Sequence, residues 1–468
     1  PDDTQSMQEF NLTPISSPDG WKLKLALTDL DKVLESRGEM IGALLIVGGD
    51  EIVPFHLLPN PTDDSDINVP SDNPYTTIDE NYFIQQWPVG RLPDERGNDA
   101  GYLLEQLRFL NNEYEVKVKT KKSLENNPFA RWLDSLNRSL MQFSSRFEKS
   151  NNLACSAEVW KSPSSMVFAT IDKAERLKTS PPTTNSNLLS GQASNPKYAY
   201  FNLHGLKDTA EWYGQKDLTR QEQGPEYPVA MLPENFTSST SAPSLVLSEA
   251  CYGANILSKA VNESIALNFL ASGTRAFIGS TCIAYGSVSR PLIAADLLSW
   301  NFWQHIVDGQ SAGYALMQAK LALAKKMTTD QGYLDGEDQK TILSFVLFGD
   351  PLATAKNIKE ISEPAIRPSV TPELKTISDS PEELVVAADE MPSEILGQIK
   401  TVIKNYLPGL GDATVAINPQ LSNFTLDPDK VDEHRNQYDL LKASQRYVVT
   451  LKKQYEYKSK SHNHFARM

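Results

Sequence analysis

Cysteine is scarce in this chain: three occur in 468 residues, Cys155, Cys251 and Cys282, and no two form a Cys-x-x-Cys pair. A disulfide-stapled scaffold is thereby excluded, and the usage fits a reducing, cytoplasmic setting. Histidine is nearly as sparse, with six. Basic charge is in deficit; the formal net charge of −14 argues for solubility and against the chain as a whole binding nucleic acid. Long apolar runs are missing, since the most apolar region, residues 265–283, is interrupted by Asn268, Ser272 and Arg275. Neither a membrane span nor a signal peptide is expected. The sequence begins at Pro1 rather than Met and reads as part of a longer protein.

The residues present are 40% hydrophobic, enough for a full core in more than one domain. Short apolar runs alternate with helical patterns. Strands are expected at 41–47, 197–203, 245–247, 274–279 and 343–348, and helices at 23–36, 102–118, 128–148, 255–272, 292–307 and 312–326. Such alternation predicts an α/β fold with a mostly parallel central sheet covered on both faces. Between 357 and 382, Pro364, Pro368, Pro372 and Pro381 mark a linker. Beyond it, 383–468 reads as a small α+β C-terminal module with a strand at 384–388, a helix at 393–406, strands at 413–417 and 447–452, and a basic tail. Solvation is the plain reading of that tail, and docking of a regulatory protein partner is the sharper one. The remainder divides into an N-terminal subdomain, 1–125, and a catalytic subdomain, 126–356.

Two stretches share a design, a buried strand that ends in a residue capable of catalysis next to glycine. One is Lys197-Tyr-Ala-Tyr-Phe-Asn-Leu-His-Gly205; the other is Ser244-Leu-Val-Leu-Ser-Glu-Ala-Cys-Tyr-Gly253, with His204 lying 47 residues before Cys251. Ligands and reactive groups in α/β sheets gather where such strands end. A free thiol is a poor nucleophile at neutral pH and needs a base or cation beside it. His204 is that base: His56, His305, His434, His462 and His464 lack the strand-His-Gly setting. Cys155 is expected in a loop, and Cys282 follows Gly279-Ser280-Thr281. A helix beginning near Ala254 would aim its positive end at Cys251. The amides of Gly205 and Cys251 would hold an oxyanion. Strand parity sets Glu249 on the side of Cys251 and Asn202 on the side of His204, so both are candidates for contact with substrate. A carboxylate there favours Arg or Lys before the cut bond; the plainer reading makes Glu249 a helix cap or a local ion-pair partner.

Other chemistry is weaker. Gly48-Gly49 follows an apolar run, yet the GxGxxG spacing is absent and Val53-Pro54 stops a following helix, so a central strand ending in a tight loop is expected instead of a nucleotide site. The loop 59–82 carries Asp63, Asp64, Asp66, Asp72, Asp79 and Glu80, oxygen donors for Ca²⁺, but without EF-hand spacing a solvated loop is favoured and no cofactor is expected.

Glu249-Ala-Cys-Tyr-Gly253 and His204-Gly205 resemble the Ala-Cys and His-Gly signatures of caspase-like cysteine peptidases, within which the gingipain family is most similar. Further similar features are Leu45-Ile-Val-Gly-Gly-Asp50, Val89-Gly-Arg-Leu-Pro93, the run from His204 through Asp208-Thr-Ala and Trp212-Tyr-Gly214, and Leu347-Phe-Gly-Asp-Pro351. The resemblance covers about residues 40–355 and implies a caspase-like three-layer sandwich, a Cys-His dyad, protein or peptide substrates, and strict choice of the residue before the scissile bond. It also assigns Trp212 to the substrate side. In this group an acid two residues before the cysteine accompanies basic substrates in metacaspases, whereas legumain, with the same Glu-Ala-Cys, prefers Asn. No third, acidic catalytic residue and no pocket Asp of the gingipain kind can be matched, and the C-terminal module does not resemble the immunoglobulin-like domain of those enzymes. The expected function is a cysteine endopeptidase cutting after Arg or Lys. The rival is a catalytically silent scaffold or regulatory protein of the same fold.

Overall fold

The computed structural model describes residues 2–78, 82–97, 100–126, 151–191, 196–219, 224–236, 242–354, 374, 376, 393–406, 410–420, 446–457 and 460–467. Apolar runs too short for helices become strands: β1 (Leu44–Val47), β2 (His56–Pro59), β3 (Asn68–Ser71), β4 (Val89–Leu92), β5 (Leu153–Ala157), β6 (Lys178–Ser180), β7 (Tyr198–Asn202), β8 (His204–Gly205), β9 (Trp212–Tyr213), β10 (Val229–Met231), β11 (Leu245–Ser248), β12 (Ala276–Ser280) and β13 (Phe345–Gly349).

Eight of them form one sheet in the order β1-β4-β13-β12-β11-β7-β5-β6. Every neighbouring pair in it is parallel except β12 and β13. β7, β11, β12 and β13 are buried along their whole length, as strands covered on both faces must be. Tyr198, Tyr200, Leu245, Leu247, Ala276 and Ile278 project to one face, against the helices Lys161–Phe168, Ala294–Val307, Ala312–Gln331 and Gly336–Ser344. Ala199, Phe201, Val246 and Phe277 project to the other, against Ile265–Ala271 and Tyr102 of the helix Gly101–Asn126. The result is the expected three-layer α/β sandwich. β8, β9 and β10 make a small antiparallel sheet at its end, and β2 pairs with β3.

Several expectations need correction. β1 is the sheet's edge strand, so the Gly48-Gly49 turn does not end a central strand. Cys155 lies in β5, fully buried, where burial pushes its thiol up to about 12. Most consequential, 255–272 is not one helix. The chain turns repeatedly from Cys251 to Ser264, and helix begins only at Ile265, where the Ser264 hydroxyl caps it. Tyr252 and Ser258 take left-handed φ values of 55° and 57°, which an α-helix cannot contain. No helix N-terminus therefore points at Cys251, and that source of thiolate stabilisation is withdrawn.

In the C-terminal module, the helix Ser393–Tyr406 lies where expected, and β14 (Thr414–Gln420), β15 (Arg446–Tyr457) and β16 (Lys460–Arg467) form an antiparallel sheet. The basic tail is thus a strand paired with β15. The expected helix at 128–148, the strand at 384–388 and nearly all of the linker lie outside the described residues. Among those described, no helix is long and apolar enough to cross a membrane.

Candidate active site

β7 and β11 are hydrogen-bonded parallel neighbours, with Ser248 opposite Phe201, and the Glu249 amide extends the ladder by donating to the Phe201 carbonyl at 2.8 Å. His204 follows the carboxyl end of β7 and Cys251 that of β11. Contact between the two loops is close: a Cβ on Gly205 would overlap the Cys251 carbonyl oxygen, so only glycine fits at 205. After β11 the chain is held by the end of β12, the amides of Tyr252 and Ala254 donating to the carbonyls of Cys282 and Ser280, each at 2.8 Å.

The half-buried Cys251 sulfur lies against Ala284, accepting its N–H at 3.4 Å and donating to its carbonyl at 3.5 Å. Burial pushes this thiol up to about 11, with the Ala284 contact working in the opposite direction. It rests as a neutral thiol at neutral pH and needs a base. His204 is oriented by two partners that the sequence did not reveal. Antiparallel pairing of β8 with β9 carries the chain round so that Gln215, just past Tyr213, meets the imidazole, Nε2 lying 2.8 Å from Gln215 Oε1. As placed, that oxygen accepts from Nε2–H, and Gln215 Nε2 donates to the Tyr227 hydroxyl at 3.4 Å. The Trp160 ring packs on the imidazole with centroids 4.3 Å apart. An amide thus stands where an orienting carboxylate was sought. The only sequence signal for it is its position after Trp212-Tyr-Gly214, and nothing in the sequence signals Trp160.

Glu249 is neither helix cap nor ion-pair partner. Its side chain is buried on the face of the sheet that carries Tyr200, whose hydroxyl donates to Glu249 Oε1 at 2.8 Å. Beside it lies Asp296 of the helix Ala294–Val307, wholly buried. Asp296 Oδ2 accepts the Ser287 amide and hydroxyl at 2.5 and 2.9 Å, and the carboxyl is also hydrogen-bonded with Glu249. Burial raises both carboxyl groups and their mutual proximity raises Glu249 further, so the pair holds protons where isolated carboxyls would not. No Lys or Arg pairs with either among the described residues. Asp296 was missed because it interrupts an otherwise apolar helical pattern, which reads as core.

Two assignments are corrected. Trp212 is a core residue, 4% exposed, with its ring against Phe201 and Phe277. Asn202 is buried and donates to the Ser164 hydroxyl at 3.0 Å, securing the helix Lys161–Phe168 rather than facing substrate.

The acidic loop after residue 59 is not a solvated one. Asp72 is buried and paired with Arg91, and Asp64 and Asp66 are held by the buried Lys340. Burial works against ionisation of Asp64, but the Lys340 ammonium overrides it and keeps the carboxyl below its ordinary value. No group of three or more His, Cys, Asp or Glu is arranged to hold a metal ion among the described residues. Asp79 and Glu80 lie outside them. A cleft of about 600 Å³ adjoins the cysteine loop, lined among others by Ile67, Lys207, Asp208, Thr209, Tyr252 and Asn255.

Residues 177–356, which contain both strand ends, match the family model described as Peptidase family C25. Among solved structures, the Arg-specific cysteine proteinase gingipain R is similar at 14% identity and a TM-score of 0.47, the match covering 76% of each chain. A complex of the pro- and mature domains of RgpB from Porphyromonas gingivalis gives the same identity and TM-score over 76% of this chain and 78% of that one. A structure described only as a protease matches at 10% identity and 0.45, over 72% and 70%. No curated protein matches the sequence.

Proposed function

We propose, from the match of residues 177–356 to the model described as Peptidase family C25, a cysteine endopeptidase in which Cys251 and His204 form a catalytic dyad cutting after Arg or Lys. What supports this reading is that β7 and β11, hydrogen-bonded neighbours, lead directly to His204 and Cys251, and that the backbones of Gly205 and Cys251 come into contact there.

In the proposed sequence the imidazole takes the thiol proton as sulfur attacks the scissile carbonyl carbon. The oxyanion rests on the amides of Gly205 and Cys251; one such donor is typically worth about 10²- to 10³-fold in rate. The proton passes to the departing amine as the C–N bond breaks, leaving a thioester. Water, deprotonated by the same imidazole, then cleaves the C–S bond. A thiol pushed up to about 11 cannot ionise alone at neutral pH, so transfer to His204 is coupled to attack. Glu249 and Asp296 would receive the basic side chain. A guanidinium or ammonium arriving there gains two carboxylates as the proton held by Glu249 leaves, whereas an acidic side chain would meet repulsion. Peptide and protein chains are the substrates, and the cleft beside Tyr252 offers room for the residues that flank the cut.

Cys251→Ala should abolish cleavage of fluorogenic peptides bearing Arg or Lys; persistence of wild-type activity would remove the assignment. The same high thiol pKa is what a silent scaffold would also show. Alkylation by iodoacetamide near neutral pH separates the two, being fast at Cys251 in the enzyme and absent in a scaffold.

A further inference from the structure

Lys340 lies in the helix Gly336–Ser344, wholly buried and with no place in the steps above. Burying an ammonium is costly unless its partners are close and well satisfied. Here they are: Nζ is 2.5 Å from Asp64 Oδ2 and 2.7 Å from Asp66 Oδ2. The two carboxylates in turn receive donors from the loops on either side of the sulfur. Tyr252, next to Cys251 in the chain, donates its hydroxyl to Asp66 Oδ1 at 2.7 Å. Ile283 donates its amide to Asp66 Oδ2 at 2.9 Å, and Tyr285 its hydroxyl to Asp64 Oδ2 at 2.6 Å. Between Ile283 and Tyr285 sits Ala284, whose N–H and carbonyl are the groups that touch Cys251 Sγ.

We propose that Lys340 is a positioning residue for the nucleophile: through Asp64 and Asp66 it fixes Tyr252 and the segment 283–285, and so sets where the Cys251 sulfur points. Two further observations agree. Tyr252 is held at a φ of 55°, a conformation that bulky residues adopt only when their surroundings impose it, and its hydroxyl anchor is Asp66. The carboxylates come from a loop nearly 200 residues earlier in the chain and are themselves braced, Asn60 Nδ2 donating to Asp64 Oδ1 at 2.9 Å and the Thr62 hydroxyl to Asp64 Oδ2 at 2.9 Å. The cluster is therefore a rigid bracket spanning the site. It acts on sulfur only through backbone and tyrosine hydroxyls, so its loss should change the chemical step more than substrate binding.

The test reads two quantities in the full chain: kcat and KM on an Arg-containing fluorogenic peptide, and the rate of Cys251 alkylation by iodoacetamide, located by peptide mass spectrometry. Lys340→Met strands two buried carboxylates and risks misfolding, so the deciding variant is Tyr252→Phe with Tyr285→Phe, which removes both tyrosine anchors, leaves the Ile283 amide on Asp66 and keeps every buried charge in place. The expected result is a fall in kcat of about tenfold with KM within about twofold, and alkylation slowed about fivefold. Wild-type kcat together with wild-type or faster alkylation in that folded double variant would overturn the proposal. This inference rests on the peptidase reading for kcat alone. Should Cys251→Ala still cleave peptides, that reading fails, and the alkylation comparison judges the bracket regardless.

Discussion

Two pairs of buried carboxyl groups lie in this region, Asp64 with Asp66 near Cys251 and Glu249, two residues before it in the chain, with Asp296. Burial opposes ionisation of Asp64 in the first and of both carboxyls in the second. In the first, an ammonium completes the site: Lys340 keeps Asp64 ionised, and tyrosine hydroxyls and an amide fill the remaining lone pairs. In the second no cation is present among the described residues, and Glu249 keeps a proton beside Asp296 instead. The lesson is that charge balance, more than composition, separates a structural cluster from a receptive one. A pair already neutralised by the protein's own cation is framework; a pair that retains a proton can exchange it for a cation that comes and goes.

The sharpest way to break this contrast is to remove the framework cation. Lys340→Met should destabilise the protein by about 3–5 kcal/mol, because two buried carboxylates lose their partner. Urea unfolding at neutral pH measures this, and a loss below about 1 kcal/mol would make the two pairs equivalent. On the other side, Glu249→Gln should leave the fold intact and lower kcat/KM for Arg- and Lys-containing peptides about 10²-fold relative to peptides with a neutral residue at that place. An unchanged ratio would deny the pair its role in choosing substrates.

The smallest effect separates the pairs by pH. Burial raises the Asp296 carboxyl from an ordinary value near 4 to about 6, so the folded state holds a proton that the unfolded chain releases. That contribution to stability is complete below about pH 4 and is lost as pH rises through about 6. Asp296→Asn cannot titrate, so its unfolding free energy relative to wild type should improve by about 1–3 kcal/mol between pH 4 and pH 8. A difference independent of pH would show that the carboxyl ionises normally.

The strand ends were legible in the sequence because both are short apolar runs that stop abruptly at a reactive residue and glycine, a pattern set by local chemistry. The parallel sheet followed from the same runs. What escaped reading depends on distance along the chain. The Lys340 ammonium meets carboxylates more than 270 residues away, so the acidic loop looked solvated. Gln215 reaches His204 only because β9 folds back on β8. Asp296 hides among Leu and Trp in a helix that otherwise reads as core. The turns after Cys251 read as helix in the sequence because apolar residues from 255 onward have helical spacing. Left-handed Tyr252 and Ser258 and hydrogen bonds to the end of β12 override that local preference. Trp212 sits in a motif beside His204, yet its ring turns into the aromatic cluster below the sheet.

The bracket around Cys251 also bears on how the chain can be divided. The segment that matches Peptidase family C25 begins at residue 177, whereas Asp64, Asp66 and strands β1, β4 and β5 all precede it. Cutting there would leave Lys340 in an apolar hole without a counter-charge and the central sheet short of three strands. The borders of sequence kinship are not those of a folding unit, and an excised 177–356 polypeptide should not fold by itself.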